Sequence, residues 1–150
     1  MSRVAGLRPG LRPRLRRCVT ALGLVLLGAC VKPIVSGDFE ADPRGARLTV
    51  DEARDYLSTA LGPECARLAK ASALPTGEAK VTVQVTPAGD VLKSHLTERT
   101  GDARIDELFG TTAARMKFDA NGTQSSAYTG RMRMGYSCNG EAGIGTIDLF

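Results

Sequence analysis

Tryptophan is absent from the 150-residue sequence, histidine occurs once, and aromatic residues make up only 5% of the chain. A buried core must therefore consist mostly of Val, Leu, Ile, Met and Ala side chains. The single histidine, His95, lies in a strand-like segment where a solvent-facing position is expected. Motifs of serine hydrolases, zinc proteases and phosphate-binding loops are missing. The sequence thus predicts a protein that is not an enzyme and has neither a metal site nor a cofactor.

No apolar run of the sequence is long enough to span a bilayer. The uncharged, mostly apolar run from Cys18 to Gly28 has 11 residues, whereas a membrane-spanning helix needs about 20. Residues 1–17 carry six arginines and no acid. A basic segment followed by a short apolar run and small residues is typical of a signal peptide. The alternative, a buried helix of a cytosolic domain, is disfavoured by the arginines and by Pro9 and Pro13.

The apolar run ends in Leu27-Gly28-Ala29-Cys30, which resembles the lipobox of bacterial lipoproteins. The resemblance implies that the thiol of Cys30 receives a diacylglyceryl group and that the chain is cut between Ala29 and Cys30. Acylation of the new amino group would then complete an anchor of two or three chains, enough for stable attachment. Val31 replaces the aspartate that retains many lipoproteins in the inner membrane. We therefore expect the periplasmic side of the outer membrane, with the cell surface and the inner membrane as alternatives.

The apparent basicity of the chain belongs to this predicted signal peptide. The whole sequence has 20 Lys and Arg residues and 16 Asp and Glu residues, a net charge of +4. Removing the six arginines leaves 14 basic residues and a net charge of −2. The mature chain therefore offers no electrostatic reason to expect nucleic acid as a partner, and no small-molecule substrate is indicated.

Two of the four cysteines remain once the export signal is accounted for. Cys18 lies in the predicted signal peptide and Cys30 is the predicted lipidation site, which leaves Cys65 and Cys138. Two cysteines in an exported domain predict one disulfide. Zinc binding is the alternative, but two thiols and one distant histidine are a poor ligand set.

The chain is predicted to have three parts. Residues 1–29 form the signal peptide, residues 30–47 form the lipidated N-terminus and a tether without periodicity, and residues 48–150 form one small domain. A capping box of Thr49 and Glu52 predicts the start of a helix, which Gly62-Pro63 is expected to interrupt.

Alternating residues predict the strands of this domain. Val81, Val83 and Val85 alternate with polar residues in a strand over residues 80–86, and a turn leads to a second strand over 91–97. Residues 102–118 predict a second helix. After a break at residues 121–123, Tyr128–Cys138 alternates again as a third strand.

The order helix, strand, strand, helix, strand predicts an α+β fold. We expect a three-stranded antiparallel sheet of order 2-1-3 with two helices on one face. The third strand would then be an edge able to receive a strand from a partner. Its candidate binding residues are Tyr128, Arg131, Met132, Arg133 and Met134. The arginines face away from the methionines and either attract an acidic segment or protect the edge. The apolar tail, residues 143–150, is an alternative occupant that would block the edge.

Residues 77–118 resemble the C-terminal domain of TonB-type energy transducers and their TolA-like relatives. The resemblance rests on Val85-Thr86-Pro87-Ala88-Gly89 followed by Val91, with looser matches at Gly101-Asp102 and Met116-Lys117-Phe118. The long proline-rich spacer of the transducers has no counterpart here. The resemblance therefore implies a partner-binding module without energy transduction.

The predicted function combines these observations. We expect a lipid-anchored periplasmic lipoprotein that binds another protein of the cell envelope. The alternative is a structural or inhibitory envelope lipoprotein with another small α+β fold.

Overall fold

The computed structural model describes residues 37–120 and 125–150. The predicted signal peptide, the lipobox with Ala29 and Cys30, and the break at residues 121–123 lie outside these ranges. Among the described residues, no helix is both long and apolar enough to cross a membrane. In chain order the elements are β1 (Asp38–Glu40), α1 (Val50–Lys70), β2 (Thr76–Val85), β3 (Val91–Glu98), α2 (Ala103–Ala114), β4 (Tyr128–Asn139) and β5 (Ala142–Leu149).

The strands of the described chain form one antiparallel sheet of five strands in the order β1-β3-β2-β4-β5. The predicted α+β class is confirmed, but the predicted three-stranded sheet is wrong. The three predicted strands lie in the middle as β3-β2-β4, and one further strand pairs at each side. β1 has only three residues, too few for a readable alternation. It also lies within the predicted tether, so residues from Asp38 onward belong to the folded domain.

Both helices pack on one face of the sheet, as predicted. Val81, Val83 and Val85 of β2 are each 1% exposed and belong to the same core cluster as the buried residues of α1 and α2. Gln84, which lies between Val83 and Val85, is exposed. Strand geometry turns alternate side chains to opposite faces, so the polar residues of β2 lie on the face away from the helices.

The helix α1 begins at the predicted capping box and runs through the predicted interruption. Thr49 Oγ1 accepts from the N–H of Glu52 at 3.3 Å, and Glu52 Oε2 accepts from the N–H of Thr49 at 2.8 Å. Pro63 lies inside the helix and is exposed on its outer side. Leu57 and Leu61 before it and Cys65 and Leu68 after it are buried against the sheet. Their burial offsets the backbone hydrogen bond that the proline lacks.

Two glycines of β5 allow α1 to lie close to the sheet. A Cβ atom at Gly145 would fall 2.6 Å from Cγ of Leu57, and one at Gly143 would collide with Cβ of Leu61. Glycine in a strand marks a site where another element approaches closely. This segment resembles a loop in sequence because glycine has low strand propensity. Packing against α1 stabilises this segment as a strand.

Candidate functional site

The predicted partner-binding strand, β4, lies inside the sheet over most of its length. It pairs with β2 from Tyr128 to Ser137 and with β5 from Met132 to Asn139. The prediction of an open edge is therefore wrong from Met132 onward, where the alternative that the tail blocks the edge is correct, whereas residues 128–130 have no partner in β5. The predicted facing holds, because Met132 and Met134 are fully buried while Arg131 and Arg133 are exposed on the opposite face.

The outer side of β5 is covered by side chains of α1. Ser58 Oγ accepts from the N–H of Gly145 at 3.0 Å, and Arg54 Nη2 donates to the carbonyl oxygen of Ile147 at 2.8 Å. These bonds satisfy backbone groups that an added strand would need. Strand addition at β5 would first have to displace α1 side chains.

The opposite side of the sheet ends in the short, acidic strand β1. Asp38 binds Nζ of Lys93 at 2.9 Å and Nδ1 of His95 at 2.6 Å. The hydrogen bond from Lys93, followed by that from His95, holds the pKa of the Asp38 carboxyl below its usual value. His95 is half exposed, as the sequence predicts. Among the described residues, the side chain of His95 pairs with the carboxylate of Asp38, which has a structural role.

The predicted disulfide between Cys65 and Cys138 is present and closes a separation of 73 residues. It joins the second half of α1 to the end of β4. Cys65 is fully buried and Cys138 is partly buried. The bond thus belongs to the core and fixes α1 over the β4–β5 hairpin.

A mostly apolar cavity of about 340 Å³ opens beside the first half of β4, beyond the end of β5. Gly130 helps to shape it, because a Cβ at this position would lie 3.2 Å from Cγ2 of Val83. With glycine there, the valine side chains of β2 form part of the cavity wall. Its lining comes from four segments of the chain: Val83, Val85, Phe118, Tyr128, Gly130, Arg131, Met132, Leu149 and Phe150.

The lining of this cavity combines apolar side chains with one cationic residue, Arg131, which projects from the face of β4 opposite to Met132. Leu149 is 50% exposed and Phe150 is 65% exposed. The neighbouring Arg133 forms an ion pair with Glu78. The exposed guanidinium of Arg131, in contrast, forms no ion pair or hydrogen bond with another residue in the described ranges.

Sequence reasoning missed the cavity although it selected three of its residues, Tyr128, Arg131 and Met132. The missed residues come from β2, the segment after α2 and the end of β5. No local pattern connects these segments. The one available signal was Gly130, a residue without a side chain in an otherwise alternating strand.

Comparison of the chain with models of protein families, with curated proteins and with solved structures found no match. The resemblances to bacterial lipoproteins and to TonB-type domains therefore stay predictions. The three-stranded topology predicted from the order of the elements gives way to the five-stranded sheet.

Proposed function

We propose that the protein is a lipoprotein anchored at the periplasmic side of the outer membrane and that it binds another envelope protein through the cavity beside β4. The observation that carries the proposal is the cavity itself. Its volume of about 340 Å³ lies within the range of binding pockets. Leu149 and Phe150 expose large apolar surface beside it, and clustered apolar exposure is typical of interaction sites.

The anchoring part of the proposal is supported by the arginine-rich start, the short apolar run and the lipobox-like Leu27-Gly28-Ala29-Cys30. Between Cys30 and Gly37 the chain can reach no farther than about 25 Å when fully extended. An anchor at Cys30 would therefore hold the folded domain close to the membrane.

The position of the cavity favours a protein partner over the membrane itself. The chain that follows Cys30 enters the fold at β1, on one side of the sheet. The cavity lies beyond β3 and β2, at β4 and the end of β5. Three strand spacings separate β1 from β4, about 15 Å. The chain therefore enters the fold at one side of the sheet and the cavity opens at another, which supports access to the cavity from the periplasm.

Site-directed photo-crosslinking tests the binding function. A photoreactive amino acid at Leu149 should crosslink in cells to an envelope protein that mass spectrometry can identify. The matched control carries the same amino acid at Leu74, which is 77% exposed in the loop before β2. Crosslinked products that are identical at the two positions would contradict the proposal.

The identified partner should then be purified and its affinity measured. Gly130→Met fills the cavity beside Val83, so we expect binding to weaken by about tenfold or more. The melting temperature of the variant checks that it folds. A folded Gly130→Met protein with the affinity of wild type would exclude the cavity as the binding site.

Metabolic labelling with a clickable fatty acid tests the anchor. Cys30→Ser should abolish the label, because the predicted acylation requires the thiol. Cys18→Ser is the matched control and should retain it, since this cysteine lies in the predicted signal peptide. Equal labelling of wild type and Cys30→Ser would refute lipidation at this residue.

A further inference from the structure

We infer that the partner segment bound at the cavity beside β4 is acidic, with a large apolar side chain next to one or more carboxylates. This inference rests on the proposed function and specifies the chemistry of the partner. Two features of the site carry it: the apolar lining of the cavity and the unmatched charge of Arg131 at its border.

The apolar lining selects the residue that enters the cavity. Val83, Val85 and Met132 are nearly or fully buried and line it together with Phe118 and Tyr128. A polar side chain placed among them would lose its hydrogen bonds to water without replacement. The volume is near the lower end of the range for ligand pockets. It therefore suits one large apolar side chain better than a long acyl chain.

The positive charge of Arg131 determines which residue is favoured next to the apolar side chain of the bound segment. Two cations that adjoin lining residues in the sequence already have acidic partners. Arg133 forms an ion pair with Glu78, and Nζ of Lys117 lies 3.8 Å from the carboxylate of Asp90. Arg131 is exposed, lines the cavity and has no ionic partner among residues 37–120 and 125–150. Because successive side chains of an extended segment point to opposite faces, a carboxylate next to the apolar residue would reach Arg131 and form a charge-assisted hydrogen bond. A basic segment would meet repulsion there.

The anchored chain itself is a poor occupant of the cavity. Its apolar residues Val31, Ile34 and Val35 lie between the predicted anchor at Cys30 and the folded domain. An anchor at Cys30 would hold this short segment between the membrane and β1. Ile34 and Val35 lie three and two residues before Gly37, so they reach at most about 11 Å from it, less than the three strand spacings, about 15 Å, to β4. Val31 adjoins the predicted anchor, which would hold it at the membrane. The occupant is therefore a segment of another protein.

Synthetic peptides measure this chemistry directly. The probes are three peptides with one central phenylalanine, flanked by glutamate, serine or lysine residues. Binding to the full-length chain, purified in detergent, is followed by fluorescence anisotropy at low and at physiological salt. We expect the glutamate peptide to bind about tenfold tighter than the lysine peptide, with a smaller difference at higher salt.

Charge reversal identifies the residue responsible. Arg131→Glu should invert the preference, so that the lysine peptide binds more tightly than the glutamate peptide. Arg44→Glu makes the same change in net charge in the loop between β1 and α1 and should leave the preference unchanged. Tighter binding of the lysine peptide to wild type would overturn the inference. A preference that Arg131→Glu leaves intact would overturn it too.

The outcomes also separate this inference from the proposed function. If Gly130→Met abolishes peptide binding while Arg131→Glu does not alter the preference, the cavity binds protein but the acidic specificity is wrong. If Gly130→Met changes neither peptide binding nor crosslinking at Leu149, the proposed function fails. If palmitate binds and none of the peptides does, the cavity is a lipid site and both proposals are wrong.

Discussion

Arg67 of α1 donates from Nη2 to both carboxylate oxygens of Asp102, at 2.7 Å each. Asp102 is also the N-cap of α2 and accepts from the N–H groups of Arg104 and Ile105, at 3.1 and 3.2 Å. One carboxylate therefore caps the second helix and ties it to the first. Burial opposes the ionisation of Asp102, but the bonds from Arg67 and the backbone outweigh it and lower the pKa of this carboxyl.

Asp102→Ala should lower the free energy of unfolding by about 1–2 kcal/mol, because the N-cap and the partner of Arg67 are lost together. Urea unfolding measures the difference. Glu107→Ala, an exposed change on the same helix, is the control and should have little effect. Equal losses for the two variants would mean that the cap contributes nothing specific.

The contribution of Asp102 should depend on pH in a defined direction. Its pKa is lower in the folded than in the unfolded protein, so its stabilising effect is complete above the ordinary carboxyl pKa of about 4. The effect is lost as the pH falls through the lower folded value. Wild type and Asp102→Asn should therefore differ in melting temperature at neutral pH and converge in acid. A difference that grows below pH 4 would contradict this assignment.

Removing the disulfide should destabilise the domain strongly. Cys65 and Cys138 close a separation of 73 residues, for which loop-closure entropy predicts a loss of about 4 kcal/mol. The variant with both Cys65→Ala and Cys138→Ala can be compared with wild type by urea unfolding. A reducing agent should destabilise wild type and leave the variant unchanged. Peptide mapping that finds both thiols free in native protein would rule out the bond.

Gly145→Val should destabilise the packing of α1 on β5. A side chain at this position would overlap Leu57, because even a Cβ would lie 2.6 Å from its Cγ. Overpacking of this kind costs about 1–3 kcal/mol. Thr146→Val, at an exposed position on the other face of the same strand, should be close to neutral. Equal melting temperatures for both variants would show that α1 does not need the glycine.

Asp38→Asn should loosen β1 from the sheet. The side chain loses its charged contact with Lys93 at 2.9 Å, and its hydrogen bond with His95 at 2.6 Å no longer involves a carboxylate. The N–H of Leu96 donates to the carbonyl oxygen of Gly37, so its hydrogen exchange reports the docking of this strand. We expect faster exchange in the variant and, for wild type, a loss of protection as the pH falls below about 4. Glu40→Gln in the same strand is the control, and equal exchange in both variants would contradict the role of Asp38.

Short-range patterns predicted the elements whose chemistry is local. The valines of β2 alternate because one face is buried, and Thr49 and Glu52 cap α1 through bonds that span only three residues. The alternation of β4 separated the buried Met132 and Met134 from the exposed arginines. The disulfide was predicted from the two cysteines that remain outside the predicted signal peptide and lipidation site. Apart from the disulfide, each inference depends on neighbours in the sequence and not on the rest of the fold.

The sequence by itself thus determined the α+β class, the buried faces of β2 and β4 and the pairing of Cys65 with Cys138. The tertiary structure decided where the sheet ends. β1 is too short to be stable alone and exists because β3 pairs with it, while β5 contains two glycines and exists because α1 packs on it. The cavity depends on the same long-range contacts, since residues from four segments meet only after the sheet has formed. Local propensity carries no information about such contacts, because their stability comes from residues far away in the chain.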